Sequence, residues 1–208
     1  EVSRKSISVA VTNFKGQLIE YQEGVPFTLG NSEESFRELC RHITGILEKA
    51  EIDPAHVLSY GFNLSGRVNN KTGYCFTYFI GEDRPIASFL QSELKRPVFV
   101  ENDSRAMTYG EYICGAANDE DNMLFINVSW GLGMGMISDG KLSYGKSGFS
   151  GEIGHFPFLD NDQICHCGKT GCLETGASGS AIHRIFMEKL NEGRASLLSD
   201  KYADGKEI

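Results

Sequence analysis

The chain reads as an α/β protein built in two units, and three observations point there. Strand-like apolar runs alternate with segments of helical spacing through the first half, a polar loop at 116–122 interrupts that alternation, and a glycine-rich β-meander opens the remainder. The loop sets the expected boundary, giving units 1–117 and 118–208. The 208 residues carry 20 Lys+Arg against 28 Asp+Glu, a formal charge of −8, with 40% apolar and 23% charged residues. Such a chain can bury a real core, and intrinsic disorder is not expected. The longest apolar runs, 123–128 and 97–100, fall far short of the ~20 residues a bilayer span requires, so a soluble protein is expected. A net-acidic chain without a basic block is a poor partner for a phosphate polyanion, so any DNA contact needs another segment.

The elements follow in order. Residues 6–11 and 17–21 read as two strands around Asn13-Phe14-Lys15-Gly16, a hairpin turn whose glycine can take positive φ. From Ser32, a candidate N-cap, Phe36, Leu39, Ile43, Ile46 and Leu47 recur at helical spacing, with Glu33 and Glu34 in the first turn. Residues 57–64 predict a buried strand, 86–94 a short helix, and 97–100 another buried strand running into Glu101-Asn102-Asp103. A helix after Asp103 is expected to carry Ala106, Gly110, Ile113 and Cys114 on one face. Beyond the loop, 123–128 and 134–138 read as strands flanking a glycine-rich turn, Asp139-Gly140 as a hairpin, and 178–190 as a helix with Ile182, Ile185 and Phe186 apolar. The opening at Glu1 lacks an apolar stretch of signal-peptide type, and the polar end at 199–208 looks unfinished, so a fragment is expected.

Of the six cysteines, Cys40, Cys75 and Cys114 are scattered in apolar contexts, whereas Cys165, Cys167 and Cys172 crowd into eight residues. That clustering favours a metal in a reducing, cytosolic compartment over secreted disulfides. With His155 it supplies the tetrahedral soft donor set that zinc prefers, leaving no open position, so a structural role is expected. His166 competes as fourth ligand, although its sequence neighbours point away from it, and a loop of free reduced cysteines is the plainer alternative. Around Gly131, the run Trp130-Gly131-Leu132-Gly133-Met134-Gly135 suits a phosphate cradle or close strand packing equally. No Lys-Ser/Thr pair accompanies it, which excludes a P-loop, and no helix follows, which argues against a dinucleotide fingerprint.

Glu101-Asn102-Asp103 closes a buried strand, where open α/β sheets place ligand-binding groups. Asp103 suits a general base in phosphoryl transfer, or the N-cap of the next helix, or both. Glu152 and Glu174 flank the metal segment, so the metal that orders their backbone can aim two further acceptors into one pocket. Each, taken singly, is equally a solvated surface carboxylate.

Four blocks together resemble the ROK family of repressors, open reading frames and sugar kinases: Asn63-Leu64-Ser65-Gly66-Arg67-Val68-Asn69, Glu101-Asn102-Asp103, Gly151-Glu152-Ile153-Gly154-His155, and the run from Cys165 through Cys172 to Glu174. Their order and spacing agree over nearly the whole chain. The resemblance implies an actin-like, ribonuclease H-like sugar kinase fold of two α/β domains closing on a sugar, incomplete here at both ends. It implies His155, Cys165, Cys167 and Cys172 as structural zinc ligands. It also implies Gly66, Arg67, Asn102, Asp103, Glu152, His155 and Glu174 as the sugar-contacting set, with His155 serving both zinc and sugar.

The departures from the kinase pattern matter as much. Where family kinases carry Asp-x-Gly-Gly-Thr, this chain has Glu1-Val2-Ser3-Arg4-Lys5, and where they read Gly-Thr-Gly, it has Gly131-Leu132-Gly133. Phosphoryl transfer depends on positioning and charge stabilisation of the phosphates, so losing both cradles should spare sugar binding and remove most of the activity. The expectation is the sugar-sensing domain of a ROK-type transcriptional regulator, cytoplasmic, a homodimer as the resemblance implies or a higher oligomer, contacting DNA through a segment outside this chain. The alternative is an ATP- and Mg-dependent hexose or N-acylhexosamine kinase with Asp103 as catalytic base.

Overall fold

The computed structural model describes residues 1–78, 84–117 and 120–199. The opening hairpin pairs β1 (Ser6–Thr12) with β2 (Leu18–Pro26) antiparallel, so the second strand runs past residue 21 to Pro26. Its turn is built by Asn13, whose side-chain oxygen accepts from the Lys15 and Gln17 N–H groups. Helix α1 (Glu33–Lys49) starts where the sequence predicts it, with the Ser32 hydroxyl accepting from Ser35 N and the predicted apolar stripe buried.

The strand expected from residue 57 begins only at Tyr60. Asp53 caps a single 3₁₀ turn at Pro54–His56, which consumes the residues before it, and β3 covers Tyr60–Leu64. A two-residue hairpin, β4 (Val68–Asn69) and β5 (Tyr74–Cys75), precedes α2 (Ile86–Leu94) and β6 (Val98–Asn102). β3 and β6 are parallel, Leu64 opposite Asn102, and Val2 adds a parallel bridge to Leu64. The core lies between this sheet and the two helices, with Phe36 edge-on to Phe89 at 6.1 Å among Leu39, Leu64, Leu90 and Val100.

Helix α3 (Asp103–Cys114) departs from the apolar-stripe reading. Its buried residues are Ser104, Arg105 and Thr108, while Ile113 and Cys114 are exposed. Its polar side is buried because it lies across a three-stranded antiparallel meander, β7 (Met123–Val128), β8 (Leu132–Ser138) and β9 (Lys141–Leu142), whose glycines admit it. The short α4 (Glu174–Ala177) and α5 (Gly179–Asn191) follow the cysteine segment; Ser178 caps α5, of whose apolar residues only Ala181 is buried, with Ile182 62% exposed. The boundary expected at 117/118 falls beside residues 118 and 119, which lie outside the described residues, as does the tail from 200 onward. Among the described residues no helix is long and apolar enough to cross a membrane.

Candidate functional site

The parallel pairing of β3 with β6 delivers two chain segments to one edge, as expected at the carboxyl ends of strands. Asn102 joins them: its amide donates to Gly66 O at 2.9 Å and to Asp103 Oδ1 at 3.0 Å, while its oxygen caps α3 by accepting from Arg105 N at 3.0 Å. The N-cap is thus Asn102, not Asp103, which occupies the first helical position. Gly66 sits at φ +89°, and a β-carbon there would run into Thr77. The Asp103 carboxylate accepts from Ser104 N at 2.6 Å, yet burial outweighs this bond and raises its pKa above the ordinary aspartate value.

Beneath this edge stands a group that no sequence motif announced. Arg105, 1% exposed, bonds Glu101 Oε1, the Val68 carbonyl at 2.7 Å and the Gly148 carbonyl at 3.1 Å. It ties β6, β4 and the loop leading to Gly151-Glu152 into one frame. The only signal in the sequence was the four-residue spacing from Glu101, ordinary on a helix surface.

A cavity of about 920 Å³ opens onto the edge, and Gly66, Asn102, Asp103, Glu152, His155 and Glu174 all line it. Arg67 does not line it; its guanidinium lies 5.9 Å from the Phe76 ring. Glu152 and Glu174 are not surface carboxylates. Burial raises the Glu152 pKa, opposed by Arg67 and Arg105 and reinforced by Asp103 and Glu174. Glu174 is buried, and its Oε2 accepts from Leu132 N at 2.9 Å. That bond reaches into the glycine-rich run. β8 starts at Leu132 rather than Met134, so Gly133 and Gly135 are strand residues, where a β-carbon would collide with Ser104 Oγ and Thr108 Oγ1. Those two glycines answer the packing of α3.

The cysteine segment folds as a tight loop: Cys165 N donates to Lys169 O and Gly168 N to Cys165 O, each at 2.8 Å. His155, Cys165, Cys167 and Cys172 present donor atoms all within 4.8 Å of one another, and all three cysteines are free. Zn–S of ~2.3 Å and Zn–N of ~2.0 Å in a tetrahedron imply S···S near ~3.8 Å and S···N near ~3.5 Å. Here Cys167 Sγ to Cys172 Sγ is 3.6 Å and Cys165 Sγ to His155 Nδ1 is 3.5 Å. The four residues therefore fit a metal ion. His166 Nδ1 stands 3.9 Å from Cys165 Sγ and nearer, 3.0 Å, to Glu174 Oε1. Burial lowers the His155 pKa, and its Nε2 faces Glu152 at 3.8 Å. The cavity thus gathers carboxylates, an amide and two imidazoles, a set able to accept from and donate to a polyhydroxylated ligand.

Residues 1–207 match the family model of the ROK family. The chain belongs to the ROK family. Both branches of the family are among its relatives. A glucokinase of Halalkalibacterium halodurans is 31% identical over 97% of this chain and 62% of its own length. A xylose repressor of Caldicellulosiruptor bescii is 28% identical over 97% of this chain and 50% of its own. Among solved structures, a ROK family transcriptional regulator, homologue of the Escherichia coli MLC protein, superposes with a TM-score of 0.77 at 28% identity, covering 95% of this chain and 50% of that one. A ROK family glucokinase from Streptomyces griseus in complex with glucose and AMPPNP also gives 0.77, at 27% identity, covering 92% and 60%. The ROK chain here therefore has the actin-like sugar kinase fold and spans 50–62% of the length of these two curated relatives.

Proposed function

We propose that this ROK chain is the sugar-sensing part of a transcriptional regulator, a repressor, that binds a hexose or aminosugar in the cavity lined by Asn102, Asp103, Glu152, His155 and Glu174. The observation that carries this reading is the bond from Leu132 N to Glu174 Oε2 at 2.9 Å. It commits a backbone donor of the glycine turn to a cavity carboxylate instead of to a phosphate, at the position where the kinases place a threonine. The other phosphate segment supports the same reading: in place of paired glycines, Arg4 stacks over the Trp130 ring at 4.7 Å.

In this reading Asp103, Glu152 and Glu174 accept from sugar hydroxyls and Asn102 orients Asp103. His155, Cys165, Cys167 and Cys172 would hold a structural zinc, which when bound fixes the ring of His155 and the backbone of the loop. The second nitrogen of His155 then meets a hydroxyl, so metal and sugar site are coupled. The units expected at 1–117 and 118–208 would close on the ligand. Closure acts on DNA, through a segment outside this chain and in a cytoplasmic homodimer, only insofar as sugar binds the DNA-competent and released states with different affinity.

The alternative with a specific observation behind it is an ATP-dependent sugar kinase, since Asp103 stands in the cavity with a raised pKa and a glucokinase is a relative. The two separate in one experiment. Protein is incubated with ATP, Mg²⁺ and glucose, xylose, N-acetylglucosamine or N-acetylmannosamine, reading ADP formation and thermal stabilisation. Stabilisation without turnover is expected; robust turnover rejects the regulator reading.

A further inference from the structure

His166 was a competing metal ligand in the sequence, and the structure gives it a different partner. We propose that His166 is a ligand-reading residue of the cavity, set in place beside Glu174 and offering its imidazole to one hydroxyl of the bound sugar; this rests on the sugar-binding reading above.

Both oxygens of Glu174 are engaged: Oε2 accepts from Leu132 N at 2.9 Å and Oε1 lies 3.0 Å from His166 Nδ1. The carboxylate thus lies against one edge of the imidazole, and among the described residues nothing bonds the opposite nitrogen, Nε2. The carboxylate end of the pair is 12% exposed and the imidazole 72%, so the anchor is buried and the reading group is open to the cavity it lines. The ring stands edge-on to His155, centroids 4.7 Å apart at 79°, placing two imidazoles on one wall. Their duties divide by geometry. Cys165 Sγ is 3.5 Å from His155 Nδ1 but 3.9 Å from His166 Nδ1, and the latter nitrogen lies closer, at 3.0 Å, to Glu174 Oε1. A metal in the cysteine cluster is therefore completed by His155, and His166 is left to the ligand.

The test uses the zinc-loaded chain and two variants, His166→Ala, which removes the ring, and His166→Asn, which keeps a donor toward Glu174 but lacks Nε2. Zinc per chain is measured by elemental analysis, and sugar affinity by calorimetry with the best-bound of glucose, xylose, N-acetylglucosamine and N-acetylmannosamine and its monodeoxy analogues. Expected are unchanged zinc content in both variants, affinity lowered about tenfold in both, and one deoxy analogue that binds wild type and His166→Ala equally. Loss of zinc in either variant overturns the proposal in favour of metal ligation. Full recovery by His166→Asn overturns it in favour of mere support for Glu174. Wild-type affinity in His166→Ala overturns it alone, whereas a wild-type chain that binds no sugar overturns the sugar-sensing reading with it.

Discussion

The guanidinium of Arg105 and the carboxylate of Glu101, four residues apart across the junction of β6 and α3, form an ion pair at 2.7 Å, with the arginine side chain 1% and the glutamate side chain 19% exposed. The remaining donors of Arg105 reach the Val68 and Gly148 carbonyls, so one side chain satisfies groups from three segments. Truncation takes from Glu101 its charged partner, leaving it the Asn102 N and Asn70 amide donors, and strands both carbonyls. Arg105→Ala is expected to cost about 3–5 kcal/mol in denaturant unfolding, the range for breaking one side of a buried pair. Arg105→Lys is expected to recover little, because an ammonium cannot span the same fork. A cost under about 1 kcal/mol for Arg105→Ala would contradict the assignment of Arg105 as the frame of the cavity.

The fit of α3 against β8 predicts an overpacking effect. Gly135→Ala drives a methyl into the buried Thr108 hydroxyl, which itself bonds Ser104 O at 2.6 Å. We expect destabilisation of about 1–3 kcal/mol, relieved when Thr108→Ala is added, a compensation that thermal unfolding of the double variant would reveal. Additive losses in the double variant would mean that the glycine is there for another reason.

Metal removal should weaken two properties at once. A chelator, or Cys172→Ser, is expected to lower Tm and sugar affinity together, because the loop from Cys165 to Cys172 leads directly into Glu174 and its cysteines would share the metal with His155, which lines the cavity. Metal analysis of the purified chain should find one zinc. Sugar affinity that survives complete metal removal would separate the two sites.

Charge in the cavity predicts a pH-dependent gain from neutralisation. Burial raises the pKa values of Asp103 and Glu152, so the folded chain binds more protons than the unfolded one between the two sets of values. The stability of their protonated forms is complete below the unfolded carboxylate range and is lost as pH rises through the folded values, so at neutral pH both charges oppose folding. Glu152→Gln is expected to raise Tm at pH 7 by on the order of 2 °C, to lose that advantage toward pH ~4, and to weaken sugar binding. A Tm series against pH checks the sign; a lower Tm for the variant at pH 7 would show that the Arg67 and Arg105 attractions outweigh burial.

Much of this molecule was legible in local chemistry. The Ser32 cap and stripe of α1, the Asn13 turn, the individual buried strands and the cysteine spacing all depend on neighbours within a few residues, and such patterns survive in a linear string. The family blocks around Gly66, Asn102, Glu152, His155 and Glu174 were legible for the same reason, and five of these positions with Asp103 meet at one cavity. What the string could not express were distances across it. The burial of Arg105, the collision that keeps residues 133 and 135 as glycine and the bond from Leu132 to Glu174 all join segments tens of residues apart. α3 looked like an ordinary amphipathic helix until β8 lay beneath its polar side. Hydrogen-bond direction and desolvation arise only when distant groups are brought within about 3 Å. For that reason the ligand set came from residue type and spacing, while the task of each ligand came from packing.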